Sequence, residues 1–164
     1  MPEHSTIERA RRDARAGKSA STQAGEFVRE EFHHVREGKH GARSAKQAIA
    51  IGLSKARRAG VKLPPPARGQ SPKVRRQAQR DYERGQHGNG HVSRRRSLAT
   101  LGALKHEGRG AASTRAISRQ TRRAARRRTP SARSAAAYRA VRTKGHAGLV
   151  AAGRKAARTR MRAR

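Results

Sequence analysis

Apolar residues in this chain come at helical spacing, and most of the large ones come early. Between Gly25 and Glu37, Phe27, Val28, Phe32 and Val35 share one face, the 3.6-residue period of an amphipathic helix. Gly38 supplies its stop. A second run from Ser44 aligns Ala45, Ala48, Ile49, Gly52, Leu53 and Ala56 before Gly60. Ser44-x-x-Gln47 has capping-box spacing, and so does Ser5-x-x-Glu8, which predicts an earlier helix to about Ala16 with Gly17 as its end. The loop Gly38-Lys39-His40-Gly41-Ala42-Arg43 is short enough to fold the two apolar helices into a hairpin. Its expected core is Phe27, Phe32, Val35, Ile49 and Leu53. So small a core is marginal alone, which leaves open a homodimer or a protein partner on the same faces.

Val61-Lys62-Leu63-Pro64-Pro65-Pro66 then breaks the pattern, because consecutive prolines enforce an extended spacer. The expected organisation is a helical module over 1–63, a Pro-rich linker over 64–72 and a tail over 73–164. Within the tail, Ser71-Pro72 is an N-cap and first-turn pair for a helix to about Arg84, with Gly85 as its stop. Residues 85–92 read as loop. Ser93 can cap a helix that sets Leu98, Leu101 and Leu104 on one stripe before Gly108. Further helical stretches are expected over 111–128, 131–143 and about 147–162, separated by Thr129-Pro130 and Lys144-Gly145. Ala136 to Thr143 resembles Ala151 to Thr159, either as a degenerate repeat or as low-complexity drift.

Composition sets the fold class. Leu, Ile, Val and Phe make up 19 of 164 residues, below the roughly 20% that marks disorder when net charge is high. Ala carries most of the apolar fraction and favours helix, as do Arg, Lys, Gln and Glu. β-formers are too sparse for a sheet. The expectation is a mainly α chain: a small N-terminal helical hairpin followed by an Ala/Arg-rich basic tail of short helices, largely disordered when free.

Charge changes the picture most. The net charge is +32, and 28 of the 42 Lys+Arg residues follow Leu63, against only Asp81, Glu83 and Glu107. Beyond Glu107 there is no carboxylate. A chain cannot neutralise this internally, and the dense polyanion that does so in a cell is nucleic acid. The candidate phosphate contacts are Arg94, Arg95, Arg96, Arg115, Arg119, Arg122, Arg123, Arg126, Arg127, Arg128, Arg139, Arg142, Arg154, Lys155 and Arg158. Like charges at i,i+4 should fray such helices when free, and phosphate should restore them. Four aromatic residues, Phe27, Phe32, Tyr82 and Tyr138, are too few for a base-stacking platform. The reading is therefore a sequence-non-specific DNA-binding protein, with DNA ahead of RNA. An RNA- or ribosome-associated protein, and an adaptor in a plasmid partition or toxin–antitoxin system acting through the N-terminal helices, stand as alternatives.

Other chemistry finds little support. Cys is absent, which excludes disulfides and thiolate metal sites. Histidines are expected on the surface: His33-His34 near Glu30 and Glu37, His87 and His91 flanking Gly88-Asn89-Gly90, and His40 and His146 in turns. No HExxH or phosphate-binding Gly motif occurs, and no nucleophile–base set is identifiable. No enzyme activity, cofactor or metal is expected. Neither a secretory signal nor an apolar run of membrane length is evident, so the expected location is the cytoplasm, with the nucleoid.

Ser21-Thr22-Gln23-Ala24-Gly25-Glu26-Phe27-Val28-Arg29-Glu30-Glu31 and Lys46-Gln47-Ala48-Ile49-Ala50-Ile51-Gly52-Leu53-Ser54-Lys55-Ala56-Arg57 carry a resemblance. Over roughly residues 5–66 the chain resembles a family of small basic bacterial proteins, mostly uncharacterised and sometimes labelled plasmid stabilisation proteins. The resemblance implies a DNA-associated role and brings no catalytic residues with it. The tail is similar in composition to linker-histone C-terminal domains and bacterial histone-like proteins.

Overall fold

The computed structural model describes residues 2–66, 70–88 and 93–162. All its regular elements are helical: α1 (His4–Arg15), α2 (Ala20–Glu37), α3 (Ala45–Arg58), α4 (Pro72–Gln86), α5 (Arg94–Lys105), a 3-10 turn (Arg109–Ala112), α6 (Thr114–Arg126) and α7 (Pro130–Arg162). His91 and the Asn89–Gly90 pair lie outside the described residues, as do 67–69 of the expected linker. The chain divides into two compact units, 1–120 and 121–164.

In the first unit α1 begins earlier than its capping-box spacing predicts. Glu3 is the N-cap, in extended backbone and without a side-chain cap bond, and Ser5 sits inside the first turn. The Glu3 side chain is engaged elsewhere, on His34 and Lys39. Ser19 caps α2 and accepts from the Thr22 N–H, so this helix starts five residues before Gly25. Gly38 ends it at φ 77°, a left-handed position that glycine adopts without a Cβ penalty. Ser44 caps α3 as expected, accepting from Gln47 N–H at 3.2 Å. The Gln47 side chain in turn accepts from Arg43 N–H at 2.8 Å.

α2 and α3 approach most closely at Gly52, where a Cβ would lie 2.7 Å from Val28 Cα and 3.0 Å from the Phe27 carbonyl oxygen. Two small apolar clusters flank this crossing. One joins Phe27 to Ala10, Ala24, Ala56 and Val61. The other joins Phe32 and Val35 to Ala42, Ala45, Ala48, Ala111 and Ala112, with Ile49, Ala116 and Ile117 packed against it. Of the expected core, Phe27, Phe32 and Val35 are buried, while Ile49 and Leu53 are half-buried.

The proline run does not end the packed unit. Buried Arg57 donates from Nε to the Leu63 carbonyl and from Nη2 to the Pro64 carbonyl, each at 3.2 Å, and so pins the start of the run to α3. Burial pushes its guanidinium below the ordinary value, and Asp81 opposes this. The expected boundary assigns α4 to a separate tail, but α4 packs on α3. Ser54 Oγ donates to Asp81 Oδ2 at 2.7 Å. Gly85, expected as a helix stop, lies inside α4, where a Cβ would fall 1.9 Å from the Arg57 carbonyl oxygen. Its smallness serves packing rather than termination. Farther on, Gly41 N–H donates to the Leu104 carbonyl and Ala42 N–H to the Gly108 carbonyl. These bonds dock the segment that carries Ala111 and Ala112 into the α2–α3 core. The single helix expected over 111–128 is split at Ser113, whose hydroxyl caps α6 through Ala116 N–H.

In the second unit α7 is interrupted at Gly145 (φ 65°, ψ 171°), where Lys144-Gly145 predicts a break. The stretch expected to lack order is helical here, and no residue of α7 is buried.

Candidate nucleic-acid interface

The candidate phosphate contacts fall on three helices and one short connection. Ser93 N–caps α5, accepting weakly from Arg96 N–H at 3.5 Å, and this places exposed Arg94, Arg95 and Arg96 in the first turn. Three cations at the positive end of a helix dipole, with no acidic residue in that turn, favour an anion nearby. The leucines expected to form a stripe on α5 find little cover: Leu98 is 58% exposed and Leu101 38%, while Leu104 is half-buried.

On α6 the spacing is i, i+4, i+7 and i+11 for Arg115, Arg119, Arg122 and Arg126, one face of the helix. Ala116 and Ile117 point the other way, onto the Phe32 cluster. The stripe runs about 16 Å along the helix axis at the usual rise per residue. Arg123 lies beside it, and Arg127 and Arg128 follow the helix end; all are exposed. On α7, Arg139 and Arg142 lie before the Gly145 break, and Arg154, Lys155 and Arg158 share a side after it. Among the described residues, none of these cations forms an ion pair, and the ion pairs there use carboxylates from Glu3 to Asp81.

A second polar grouping, which the pattern reading missed, lies inside the first unit. His34 and His40 were expected on the surface and are buried, 9% and 8% exposed, with Glu30 and Glu31. Lys55 Nζ reaches Glu31 Oε2 at 2.7 Å and Glu30 Oε1 at 3.3 Å. His40 Nε2 lies 3.2 Å from Glu31 Oε1, and His34 Nε2 lies 2.9 Å from Glu3 Oε1. Despite these close charges, neither Glu31 oxygen accepts a well-directed hydrogen bond. The hydrogen bond from His34 holds the exposed Glu3 carboxyl down to about 2, and Lys39 adds to the effect. The signal was in the sequence: Phe27, Glu31 and Val35 stand at i, i+4 and i+8, which puts a carboxylate in the middle of the apolar stripe. His33, by contrast, is exposed and lies 3.8 Å from Glu37.

Among the described residues no helix is long and apolar enough to cross a membrane. Neither the curated proteins nor the solved structures yield a match to the chain. Over residues 5–67, which span α1 to α3 and the proline run, the chain is similar to a family of unknown function, DUF6496.

Proposed function

We propose that this protein binds nucleic acid through backbone phosphates without reading base sequence, with duplex DNA as its main partner. The observation that carries this reading is that α5, α6 and α7 each carry exposed, unpaired arginines, with no carboxylate after Glu107 to balance them. Guanidinium presents a planar fork of donors that matches phosphate oxygens bidentately. Scarcity of exposed aromatics argues against base stacking; Tyr138 alone stands fully out, at 77% exposure. The role is that of a non-enzymatic, nucleoid-associated, histone-like protein in the cytoplasm, neutralising and bridging phosphates and in that way supporting plasmid maintenance.

Helix formation in α7 is coupled to binding in this reading, since no residue of α7 is buried and packing therefore cannot hold it. Circular dichroism of the full chain tests this: helix signal rises on adding DNA, and an unchanged signal defeats the coupling. RNA would satisfy the same charge. Competition between duplex DNA and structured RNA across a salt series separates the two, and preferential retention of RNA would move the assignment to an RNA-associated protein.

A further inference from the structure

We propose that Glu31, His34 and His40 form a binding site for a divalent transition-metal ion of the zinc class, holding α1, α2 and the 38–44 loop together. One ligand atom from each of the three residues lies within 4.8 Å of the other two. A tetrahedral zinc with ordinary bonds to nitrogen and oxygen needs ligand atoms about 3.3 Å apart. The His40 Nε2 to Glu31 Oε1 separation, 3.2 Å, already has that length.

The outer hydrogen bonds fix how the two rings face. His40 Nδ1 lies 3.0 Å from the Gly41 carbonyl oxygen, which can only accept. Nδ1 therefore carries a proton, which makes Nε2, 3.2 Å from Glu31 Oε1, the ring atom that binds a metal. His34 Nε2 lies 2.9 Å from the Glu3 carboxylate, another acceptor, which makes Nδ1 the ring atom that binds a metal. Metal-ligating histidines are held in this way, with the outer N–H donated to a carboxylate or a carbonyl. Beside them stands the Glu31 carboxylate, which is 0% exposed and accepts no well-directed hydrogen bond. His40 Nε2 and Glu31 Oε1 stand 3.2 Å apart without a directed hydrogen bond between them, a spacing and a misalignment that suit an ion bound to both atoms from one side.

Charge agrees. Glu3, Glu30, Glu31 and Glu37 face Lys39 and Lys55, so carboxylates outnumber ammonium groups around the site. Lys55 sits on Glu31 Oε2 and leaves Oε1 to the metal. Glu30 Oε1 accepts from Lys55 at 3.3 Å and lies outside the three-residue grouping, so a water is the expected fourth ligand. An ion there joins residues of α2 to the loop and, through Glu3, to the start of α1. It is a structural ion whose binding stabilises the fold. The site is independent of the phosphate contacts.

The test uses the full chain, stripped with a chelator, and Zn²⁺ as the probe. Isothermal titration should give one zinc per chain, and the unfolding temperature should rise with zinc concentration. His34→Gln and His40→Gln should each weaken binding at least tenfold; His33→Gln and His87→Gln, at exposed sites, should leave it unchanged. Glu3→Gln should weaken binding by about 10–100-fold through the outer hydrogen bond. A wild-type chain that binds no stoichiometric zinc overturns the site, as does equal affinity in the His34 and His40 variants. Should those variants fail to fold, Co²⁺ bound to the wild-type chain decides. A tetrahedral visible spectrum supports the site, and an octahedral, water-like one overturns it.

Discussion

Lys55 Nζ on α3 lies 2.7 Å from Glu31 Oε2 on α2, and the Glu31 side chain is fully shielded from solvent. A buried pair of this kind contributes little net stability against an apolar replacement, but removing one partner strands the other charge. Lys55→Ala should destabilise the first unit by about 3 to 5 kcal/mol, read by urea unfolding in the presence of a chelator. Replacing both, with Glu31→Leu and Lys55→Met, should cost less than Lys55→Ala alone. A double variant worse than the single one would show that the pair is itself stabilising.

Gly52 and Gly102 make a matched pair of helical glycines. A Cβ at Gly52 meets Val28 backbone at 2.7 Å, and one at Gly102 meets nothing within 4 Å. Gly52→Ala should therefore destabilise by about 1 to 3 kcal/mol, because backbone must move to admit it. Gly102→Ala should stabilise by about 0.5 to 1 kcal/mol through helix propensity. Equal effects of the two on the unfolding midpoint would mean that α2 and α3 do not cross at Gly52.

The first unit runs past the proline run, and truncation checks this. A fragment ending at residue 66 lacks Ala111, Ala112, Ala116 and Ile117, which cover Phe32 and Val35. By circular dichroism and thermal unfolding it should be less helical per residue and melt lower than a fragment ending at residue 120. Equal melting temperatures would return the boundary to Pro64–Pro66.

Much of this fold was legible because glycine, serine and proline punctuate the chain. Ser44, Ser71 and Ser93 cap where spacing predicts, and Gly17, Gly38 and Gly145 take positive φ where a helix ends or breaks. What was not legible depended on contacts between segments far apart in sequence. Gly85 looks like a stop until the Arg57 carbonyl is seen against it. Ala111 and Ala112 read as ordinary Ala/Arg tail until the bonds from Gly41 and Ala42 bring them to the core. His34 and His40 look like surface residues because a local pattern cannot show that the loop folds His40 back beside Glu31.

On α6, the arginine stripe predicts a graded electrostatic loss. Replacing Arg115, Arg119, Arg122 and Arg126 together by Gln should make the slope of log K against log salt shallower by about 3 to 4 on duplex DNA. The loss should be uniform across DNA sequences, since phosphates carry no sequence information. Fluorescence anisotropy with labelled duplexes measures both. A loss confined to one sequence would indicate base contacts from this face.

The salt dependence of duplex binding by the full chain tests the central claim most directly. With about ten phosphates neutralised, log K should fall with log salt at a slope near −9, alike for duplexes of scrambled sequence. Binding that is weak at low salt, or that holds its strength as salt rises, would contradict phosphate recognition by the unpaired arginines.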